Sequence, residues 1–399
     1  MEGESMSEWK EVKLGMLGNI ITGKTPRTAI EDNYGGTIPF LTPSDDMSVK
    51  HVVFTKKTLS ENGVAEVKNC LLPCGAVCVS CIGSDLGKVV ITTGDTITNQ
   101  QINSIIVNEN NNNDFVYYLL TIVGRELNRI SKTSTAVPII NKSTFSSYEI
   151  KIPDLFTQQE IAGILSSLDA KIETNNKLNK KLEEMAQAIF KSWFVDFEPF
   201  KDKPFHETEL GMIPEGWEVG SLSDIATITM GQSPRGTSYN ENGEGIIFYQ
   251  GRTEFGFRFP SVRLYTTAPS RFAEVGSTLM SVRAPVGDIN MALLRCCIGR
   301  GVASIKSNCD CDSYIYYLMK SLKKRFDIYN GEGTVFGSVG RDTLRGLLIT
   351  IPPSSVISDF EMNISKIDSR IKTNELESQR LAYLRDTLLP RLMSGELIV

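Results

Sequence analysis

Residues 157–197 read TQQEIAGILSSLDAKIETNNKLNKKLEEMAQAIFKSWFVDF, and this stretch decides the fold. Apolar residues recur at four-three-four spacing along its first half: Ile161, Leu165, Leu168 and Ile172. That spacing places them in one stripe on a helix. No Gly or Pro follows Gly163, so the stretch predicts an uninterrupted helix of about 40 residues, roughly 60 Å long. A stripe of that length needs a second helix to bury it.

A matching stretch lies near the other end of the chain. Residues 358–392 read SDFEMNISKIDSRIKTNELESQRLAYLRDTLLPRL and carry the same spacing of apolar side chains. The segment DAKIETN at 169–175 aligns with DSRIKTN at 368–374. We therefore predict a second long helix that is the internal repeat of the first and its packing partner.

The duplication extends over the whole chain. Four further segments recur: Trp9 as Trp217, 23–27 as 231–235, 117–119 as 316–318, and 150–153 as 349–352. A period near 200 residues indicates duplicated domains rather than a short-repeat solenoid. The predicted order is a globular domain over 1–153, a long helix over 154–197, a linker over 198–216, a second globular domain over 217–353 and a C-terminal long helix over 354–399.

Each globular domain is predicted to be a mixed α/β unit with mostly β content, which makes the fold class α+β. Short apolar runs between Gly, Pro, Asn and Asp indicate the strands, and a longer periodic run in each domain indicates a helix. The predicted strands are 38–41, 76–79, 88–91, 104–107, 246–249, 278–282 and 302–305, and the predicted helices are 115–130 and 314–328.

Composition bounds the class of protein. Hydrophobic residues make up 41% of the chain, enough for two packed cores. No run of about 18 apolar residues exists, so no membrane span is predicted. The start, MEGESMSEWK, is polar and unlike a secretory signal, and eight Cys without such a signal favour a reduced, cytoplasmic chain.

The charge is compatible with DNA contact but does not demonstrate it. The net charge is −5, yet residues 217–350 carry 15 Lys and Arg against 12 Asp and Glu. The two His, His51 and His206, stand in no pattern with a nucleophile, and the acidic residues are not grouped as a metal nuclease requires. We predict no catalytic residue and no metal site in this chain.

Two motifs suggest chemistry that the repeat argues against. Residues 18–25, GNIITGKT, fit a phosphate-binding loop, but Pro26 follows at once and the repeat has Gln232 in place of Lys24. A DNA-facing turn or a simple strand-to-loop turn is favoured there. Cysteines at 74, 78 and 81 approach a zinc spacing, but Val or Leu occupies these positions in the repeat, which indicates core positions.

The sequence resembles a known family, the specificity subunits of type I restriction-modification systems. The resemblance spans essentially the whole chain. Its most telling parts are QQEI at 158–161, LDAKI at 168–172, AIFKSWFVDF at 188–197, LGMIPEGW at 210–217 and LRDTLLPRLMSGEL at 384–397. Taken together these segments are specific, whereas each helix alone would be a weak signal.

The resemblance implies two target recognition domains, each reading one half of a split site in double-stranded DNA. It implies that the two long helices pack as an antiparallel coiled coil that sets the spacing between half-sites. Methyltransferase subunits would dock on the helices and supply adenine-N6 methylation with S-adenosylmethionine. A translocating restriction subunit would add ATP-dependent cleavage with Mg²⁺. This chain would itself be non-catalytic and would hold no cofactor.

Symmetric polar loops are the predicted DNA contacts, with hydroxyls and Lys on phosphate and Arg on guanine edges. The candidates are Lys24, Thr25, Arg27, Lys132, Thr133, Ser134, Gln232, Ser233, Arg235 and Thr334, with Arg252 and Arg283 as further candidates. Most other Arg residues of the second domain are expected to be solvated. Asn175 and Asn374 occupy equivalent positions near the helix midpoints, where they either face each other and fix the register or are solvated at a phase slip.

Two other classes of function remain as alternatives. A coiled-coil scaffold that binds only protein would share the long helices but would not explain two duplicated domains with divergent surfaces. An enzyme with an ATP site at 18–25 is the other alternative, and a nucleotide-binding assay would separate it.

Overall fold

The chain is described by a computed structural model that covers residues 9–52, 54–131, 140–330 and 337–399. It forms two compact units. The first unit comprises Met1–Thr174 and Ser378–Val399, and the second comprises Asn175–Glu377. Each unit therefore contains one globular part and a portion of both long helices.

The first unit holds eleven strands among its described residues. They are β1 Lys10–Lys13, β2 Gly18–Thr22, β3 Tyr34–Leu41, β4 His51–Val52, β5 Lys57–Leu59, β6 Leu71–Leu72, β7 Val77–Ser80, β8 Val89–Thr92, β9 Thr96–Thr98, β10 Ile102–Val107 and β11 Glu149–Ile152. The helices that begin in this unit are α1 Glu61–Glu66, α2 Asn113–Ser131, α3 Lys142–Ser147 and α4 Leu155–Phe194. One sheet has the order β2-β10-β7-β8-β4, a second has the order β5-β3-β9-β6, and β1 pairs with β11.

The second unit repeats this plan. Its strands are β12 Phe205–Thr208, β13 Gly211–Pro214, β14 Glu218–Ser221, β15 Ala226–Met230, β16 Tyr239–Asn240, β17 Ile246–Tyr249, β18 Leu264–Thr266, β19 Phe272–Ala273, β20 Thr278–Ser281, β21 Ile289–Met291, β22 Cys296–Ile298, β23 Val302–Ser307 and β24 Leu348–Ile351. Its helices are α5 Leu222–Ile225, α6 Asp312–Ser321, α7 Lys323–Phe326, α8 Arg341–Arg345 and α9 Ser354–Met393.

The duplication is visible in strand pairing. The order β15-β23-β20-β21 matches β2-β10-β7-β8, and β14 pairs with β24 as β1 pairs with β11. Each second sheet contains one parallel pair, Phe40 beside Ile97 in the first unit and Phe248 beside Cys297 in the second. All seven predicted strands overlap observed strands, so the β-rich α+β prediction is confirmed.

Both predicted long helices are present, with 40 residues each. Helix α4 ends at Phe194, before the predicted 197, and Phe197 takes a left-handed conformation with φ 53°. Helix α9 ends at Met393, and Gly395 has φ 75°. A left-handed residue just beyond a helix is a common stop signal. None of the described helices is long and apolar enough to cross a membrane.

The predicted helix over 314–328 is wrong in being continuous, because it is interrupted at Leu322. Helix α6 ends at Ser321, and the chain continues through the short α7 and a 3-10 turn over Asp327–Asn330. Three adjacent cations, Lys323, Lys324 and Arg325, lie on α7. At the break, the backbone hydrogen bonds change from four-residue spacing, Leu322 to Leu318 at 3.1 Å, to three-residue spacing, Arg325 to Leu322 at 2.9 Å.

Each unit has its own core. In the first unit, Phe115, Leu119 and other α2 side chains pack with Ile161 and Leu165 of α4 and with Leu389 and Leu392 of α9. In the second unit, Phe190 and Phe194 of α4 pack with Phe360 of α9 and with α6. Cys78 of β7 and Cys81, the residue that follows this strand, are buried in separate clusters on opposite faces, whereas Cys74 is exposed. The prediction of core positions is therefore confirmed for Cys78 and Cys81 and wrong for Cys74.

Candidate nucleic-acid interface

The predicted loops 23–27 and 231–235 occupy equivalent places in the two units, and we call them the first and second proline loops. The amide of Gly23 donates to the carbonyl of Ile102 at 3.1 Å, and that of Gly231 donates to Val302 at 2.9 Å. A Cβ at Gly23 would lie 2.3 Å from the Asn99 carbonyl oxygen. Glycine is therefore needed for close backbone approach, and the loop opens no helix such as a phosphate-binding loop requires.

A tyrosine fixes each proline loop from the following strand. Tyr34 donates to the Pro26 carbonyl at 2.9 Å, and Tyr239 donates to the Pro234 carbonyl at 3.0 Å. The same anchor in both copies means that the two loops present their side chains from the same scaffold.

The first proline loop carries three predicted contacts. Lys24 is exposed. The Thr25 hydroxyl donates to Gln100 Oε1 at 2.7 Å. Arg27 is also exposed, but its Nε donates to Glu66 Oε1 at 2.7 Å, so a carboxylate of the same unit already holds it.

The second proline loop presents a similar arrangement. Gln232 and Arg235 are exposed. The Ser233 hydroxyl accepts a hydrogen bond from the backbone amide of Arg300 at 3.2 Å, whereas its counterpart Thr25 donates to the side chain of Gln100. Positions 100 and 300 are thus equivalent, with an amide in one unit and a guanidinium in the other.

Ser233 opens onto a cavity of about 790 Å³ in the second unit. Five cationic side chains line it: Arg252, Arg283, Arg300, Lys320 and Lys323. Asp288 is the one carboxylate among the lining residues. The structure therefore brings the sequence candidates Ser233, Arg252 and Arg283 together with three cations that were not predicted, Arg300, Lys320 and Lys323. The basic segment 320–325 was a signal for Lys320 and Lys323, whereas no sequence signal distinguished Arg300.

Asp288 joins two of these cations. Arg252 donates to it through Nε, and Lys323 Nζ contacts the other carboxylate oxygen at 2.7 Å. Burial raises the pKa of Asp288, but the hydrogen bonds from Lys323 and Arg252 outweigh it, so the pKa lies below its usual value. Asp288 is therefore ionised at neutral pH, and the cavity keeps a net positive charge.

The corresponding region of the first unit is chemically different. A cavity of about 400 Å³ is lined there by Thr121, Gly124 and Lys88, among others. Alignment of Tyr117-Tyr118 with Tyr316-Tyr317 places Thr121 at the position of Lys320 and Gly124 at that of Lys323. The two domains thus share a scaffold but not a charge pattern.

Arg258 is an exception to the expectation that most Arg residues of this domain are solvated. Its side chain is 1% exposed. It donates to Glu183 of α4, to Asp368 of α9 at 2.9 Å and to the Tyr317 hydroxyl at 2.6 Å. The guanidinium also lies 4.0 Å from the Tyr316 ring centroid. Arg258 therefore ties the second globular part to both long helices rather than facing a ligand.

A related network occurs in the first unit. The Tyr118 hydroxyl donates to Asp169 of α4, and Arg385 of α9 contacts the same carboxylate at 2.6 Å. Lys50 adds a hydrogen bond to Ser166 at 2.9 Å. Asp169 and Tyr118 are the repeat counterparts of Asp368 and Tyr317. The same tyrosine–aspartate hydrogen bond therefore occurs once in each unit.

Asn175 and Asn374 are both about 1% exposed, which excludes the solvated alternative. Asn175 Nδ2 donates to the Asn374 carbonyl at 3.4 Å and to Glu377 at 2.8 Å. Asn374 Nδ2 donates to Asn179 Oδ1 at 2.8 Å. Asn179 was not singled out in the sequence. These residues form a buried amide cluster between α4 and α9 within the second unit.

Four candidates lie outside the described residues. They are Lys132, Thr133, Ser134 and Thr334. Their predicted contact with DNA stays a prediction.

A family model described as "Type I restriction modification DNA specificity domain" matches residues 6–184 and 214–385. The chain belongs to this family. Members named as specificity subunits are the DNA-selecting rather than the catalytic components of these systems, so the predictions of a specificity subunit and of a non-catalytic role are confirmed.

Named relatives cover almost the full chain. A putative type I restriction enzyme MjaX specificity subunit of Methanocaldococcus jannaschii is 30% identical over all of this chain and 95% of its own length. The MjaIX specificity subunit of the same organism is 29% identical with the same coverage. Among solved structures, the type I restriction-modification S subunit of M. genitalium has a TM-score of 0.62 at 15% identity over 98% of both chains, which supports the fold.

Proposed function

We propose that each duplicated domain of this specificity-family chain reads one half of a split site in double-stranded DNA. The cavity of the second unit is the observation that carries the proposal. Five cations surround a space of about 790 Å³ with one carboxylate among them, in a chain whose net charge is −5. Lys and Arg neutralise phosphates, and Arg reads guanine through two parallel hydrogen bonds.

The proline loops are the second part of the proposed interface. Their exposed side chains, Lys24 and Arg235 among them, are mounted on the same scaffold in both units. Lys24, Thr25, Gln232 and Ser233 would contact phosphates, and Arg27 and Arg235 would contact phosphates or guanine edges. Because Arg27 is bound to Glu66, its contact with DNA requires exchange of that partner, whereas Lys24 needs no such exchange.

The long helices would act as the ruler between the half-sites. We propose that α4 and α9 form an antiparallel coiled coil. Contacts of Asn179 with the Ile371 carbonyl and of Asn175 with Glu377 within the second unit support this direction, because residue numbers rise on one helix as they fall on the other. Methyltransferase subunits, with S-adenosylmethionine, would dock on these helices, and a restriction subunit would bring ATP and Mg²⁺.

Methylome mapping tests this proposal. The chain would be co-expressed with the methyltransferase subunit encoded beside it, and modified adenines would be mapped in the host genome. A split motif of two short blocks around an unspecified spacer is the expected result. A stable complex that adds no methylation would instead favour the scaffold alternative.

Variants then test the interface on the mapped motif. Lys24→Ala and Arg235→Ala should each weaken binding of the cognate duplex, measured by fluorescence anisotropy. Exposed Lys201→Ala, in the segment between the long helix and the second domain, is the control. Unchanged affinity in both loop variants would remove the proline loops from the interface.

A further inference from the structure

We propose that Asp288 positions Arg252 for a base-selective contact, which makes Asp288 a specificity-determining residue of the second half-site. The inference rests on the proposed function and adds a residue that no candidate set contained. Asp288 itself carries the wrong charge for phosphate contact. Its place among five cations therefore calls for an explanation.

The backbone of Asp288 is fixed to the sheet. Its amide donates to the Ser281 hydroxyl at 2.9 Å, and its carbonyl accepts from the Ser281 amide at 2.9 Å. The Ser281 hydroxyl in turn donates to the Pro285 carbonyl at 2.7 Å. The carboxylate therefore extends from a rigid point at the start of β21, and it is only 19% exposed.

Two cations converge on this carboxylate from different elements. Arg252 comes from the turn after β17 and uses Nε, while Lys323 comes from α7 and uses the second oxygen. Binding through Nε leaves the outer edge of the guanidinium, formed by Nη1 and Nη2, to pair with guanine O6 and N7. Holding the arginine in advance reduces the conformational freedom lost when DNA binds.

The duplicated domain supplies an internal comparison. Lys88 occupies the position of Asp288 in the first unit, and its amide donates to the Ser80 hydroxyl at 3.1 Å, as that of Asp288 does to Ser281. The scaffold is retained while the side-chain charge is reversed. A position that changes chemistry on a retained scaffold is where two domains can differ in the base that they select.

Asp288→Asn in the full chain, bound to its methyltransferase subunit, tests the proposal. Two duplexes would be compared by anisotropy: the mapped motif, and the same duplex with the second half-site scrambled. We expect cognate affinity to fall about 10-fold, with affinity for the scrambled duplex unchanged or higher because a negative charge is lost. Asp288→Glu should restore part of the discrimination.

Glu274→Gln is the matched control. Glu274 makes the same kind of bridge, from Arg295 Nε at 2.9 Å, and it does not line the cavity. Glu274→Gln should leave the affinities for the cognate and the scrambled duplex unchanged. If Asp288→Asn does not fold, Arg252→Lys keeps the charge, lacks the bidentate edge and should lower discrimination in the same way.

The outcomes separate the two proposals. An Asp288→Asn protein that keeps the wild-type ratio of cognate to scrambled affinity overturns the positioning role. Equal losses on both duplexes with a lower unfolding temperature would show a structural role and also overturn it. A wild-type complex that binds both duplexes equally would refute the proposed function itself.

Discussion

At the scale of single residues, the second unit buries an unusual concentration of charge around Arg258. Glu183 and Asp368 accept from its guanidinium, and Glu375 accepts from its backbone amide at 3.1 Å. Lys320 contributes a second cation to Glu183 at 2.5 Å. Buried charges of this kind persist only when they are paired, because each would otherwise be left without solvation. The cluster therefore has three carboxylates for two cations.

Glu375 is the member expected to respond to pH. Burial raises its pKa to about 7, and the charge of Arg258 offsets this only in part. A carboxyl group with a raised pKa takes up a proton on folding, so it favours the folded state at acid pH. That contribution is lost as pH rises from about 4.5 through about 7, by at most about 1.4 kcal/mol per pH unit.

We predict that the unfolding temperature of the second unit falls between pH 5 and pH 7.5. Glu375→Gln should flatten this dependence, measured by calorimetry, because glutamine does not titrate. Asp359→Asn, an exposed carboxylate on the same helix, should leave the slope unchanged. The pKa of Glu183 is lowered despite its burial, chiefly by the charges of Arg258 and Lys320, so its effect falls below pH 4.5 and outside this window. If the unfolding temperature changed equally with pH in the wild type and in Glu375→Gln, Glu375 would not be the group that titrates.

Sequence could not identify this cluster. Arg258 stands in a loop among several other Arg residues, and its partners lie 59 to 117 positions away. The available signal was indirect: Tyr317 and Asp368 both belong to segments that recur in the first half. Recurrence showed that these positions share a role, but only the fold shows that the tyrosine contacts the aspartate.

At the scale of elements, the long helices followed directly from the spacing of apolar residues. Apolar side chains at the helical period lie on one face only if the segment is a helix. Their ends and the break after α6 did not follow. The ends depend on single left-handed residues and the break on a local change of hydrogen-bond spacing, and a periodic pattern of apolar residues records neither. The buried Asn residues were found because they repeat, although Asn179 has no equivalent Asn in the repeat.

The amide cluster between α4 and α9 leads to a prediction about pairs. Asn374→Leu alone should destabilise the second unit by about 1–3 kcal/mol, because Asn179 Oδ1 loses its donor in a buried site. Adding Asn179→Leu removes the stranded amide and should recover most of that loss. Chemical denaturation of the wild type, the two single variants and the double variant gives the coupling free energy between Asn179 and Asn374.

The control is Asn363→Leu, which changes an exposed Asn on the same helix. Simple addition of the two single-variant effects would show that Asn179 and Asn374 act independently. A recovery in stability accompanied by methylation at more than one spacer length would show that the amides fix the register, the role first inferred for Asn175 and Asn374.

At the scale of the whole molecule, duplication predicts similar domains, yet the two clefts differ in charge. Gln100 and Thr121 of the first unit stand where Arg300 and Lys320 stand in the second. The repeat revealed the shared scaffold from sequence alone. It could not reveal the cavity, because the cavity cations come from four separate segments that only the fold brings together.

This asymmetry should appear in the salt dependence of DNA binding. Substituting Arg300→Gln, which introduces the first-unit residue, should reduce the slope of log affinity against log salt by about 1. The reciprocal substitution, Gln100→Arg, should increase that slope. Anisotropy titrations at several salt concentrations measure both. Equal slopes in all three proteins would show that the cavity does not contact phosphates.

The division of the chain between its units also governs the order in which they can be completed during synthesis. The second unit is one continuous segment, Asn175–Glu377, whereas the first needs both Met1–Thr174 and Ser378–Val399. Leu389, Leu392 and Met393 belong to the core of the first unit. The first unit is thus begun before the second during synthesis, but its core is completed only after the second unit has been made. A chain that stops at a premature codon near 377 would keep every residue of the second unit and lose core residues of the first.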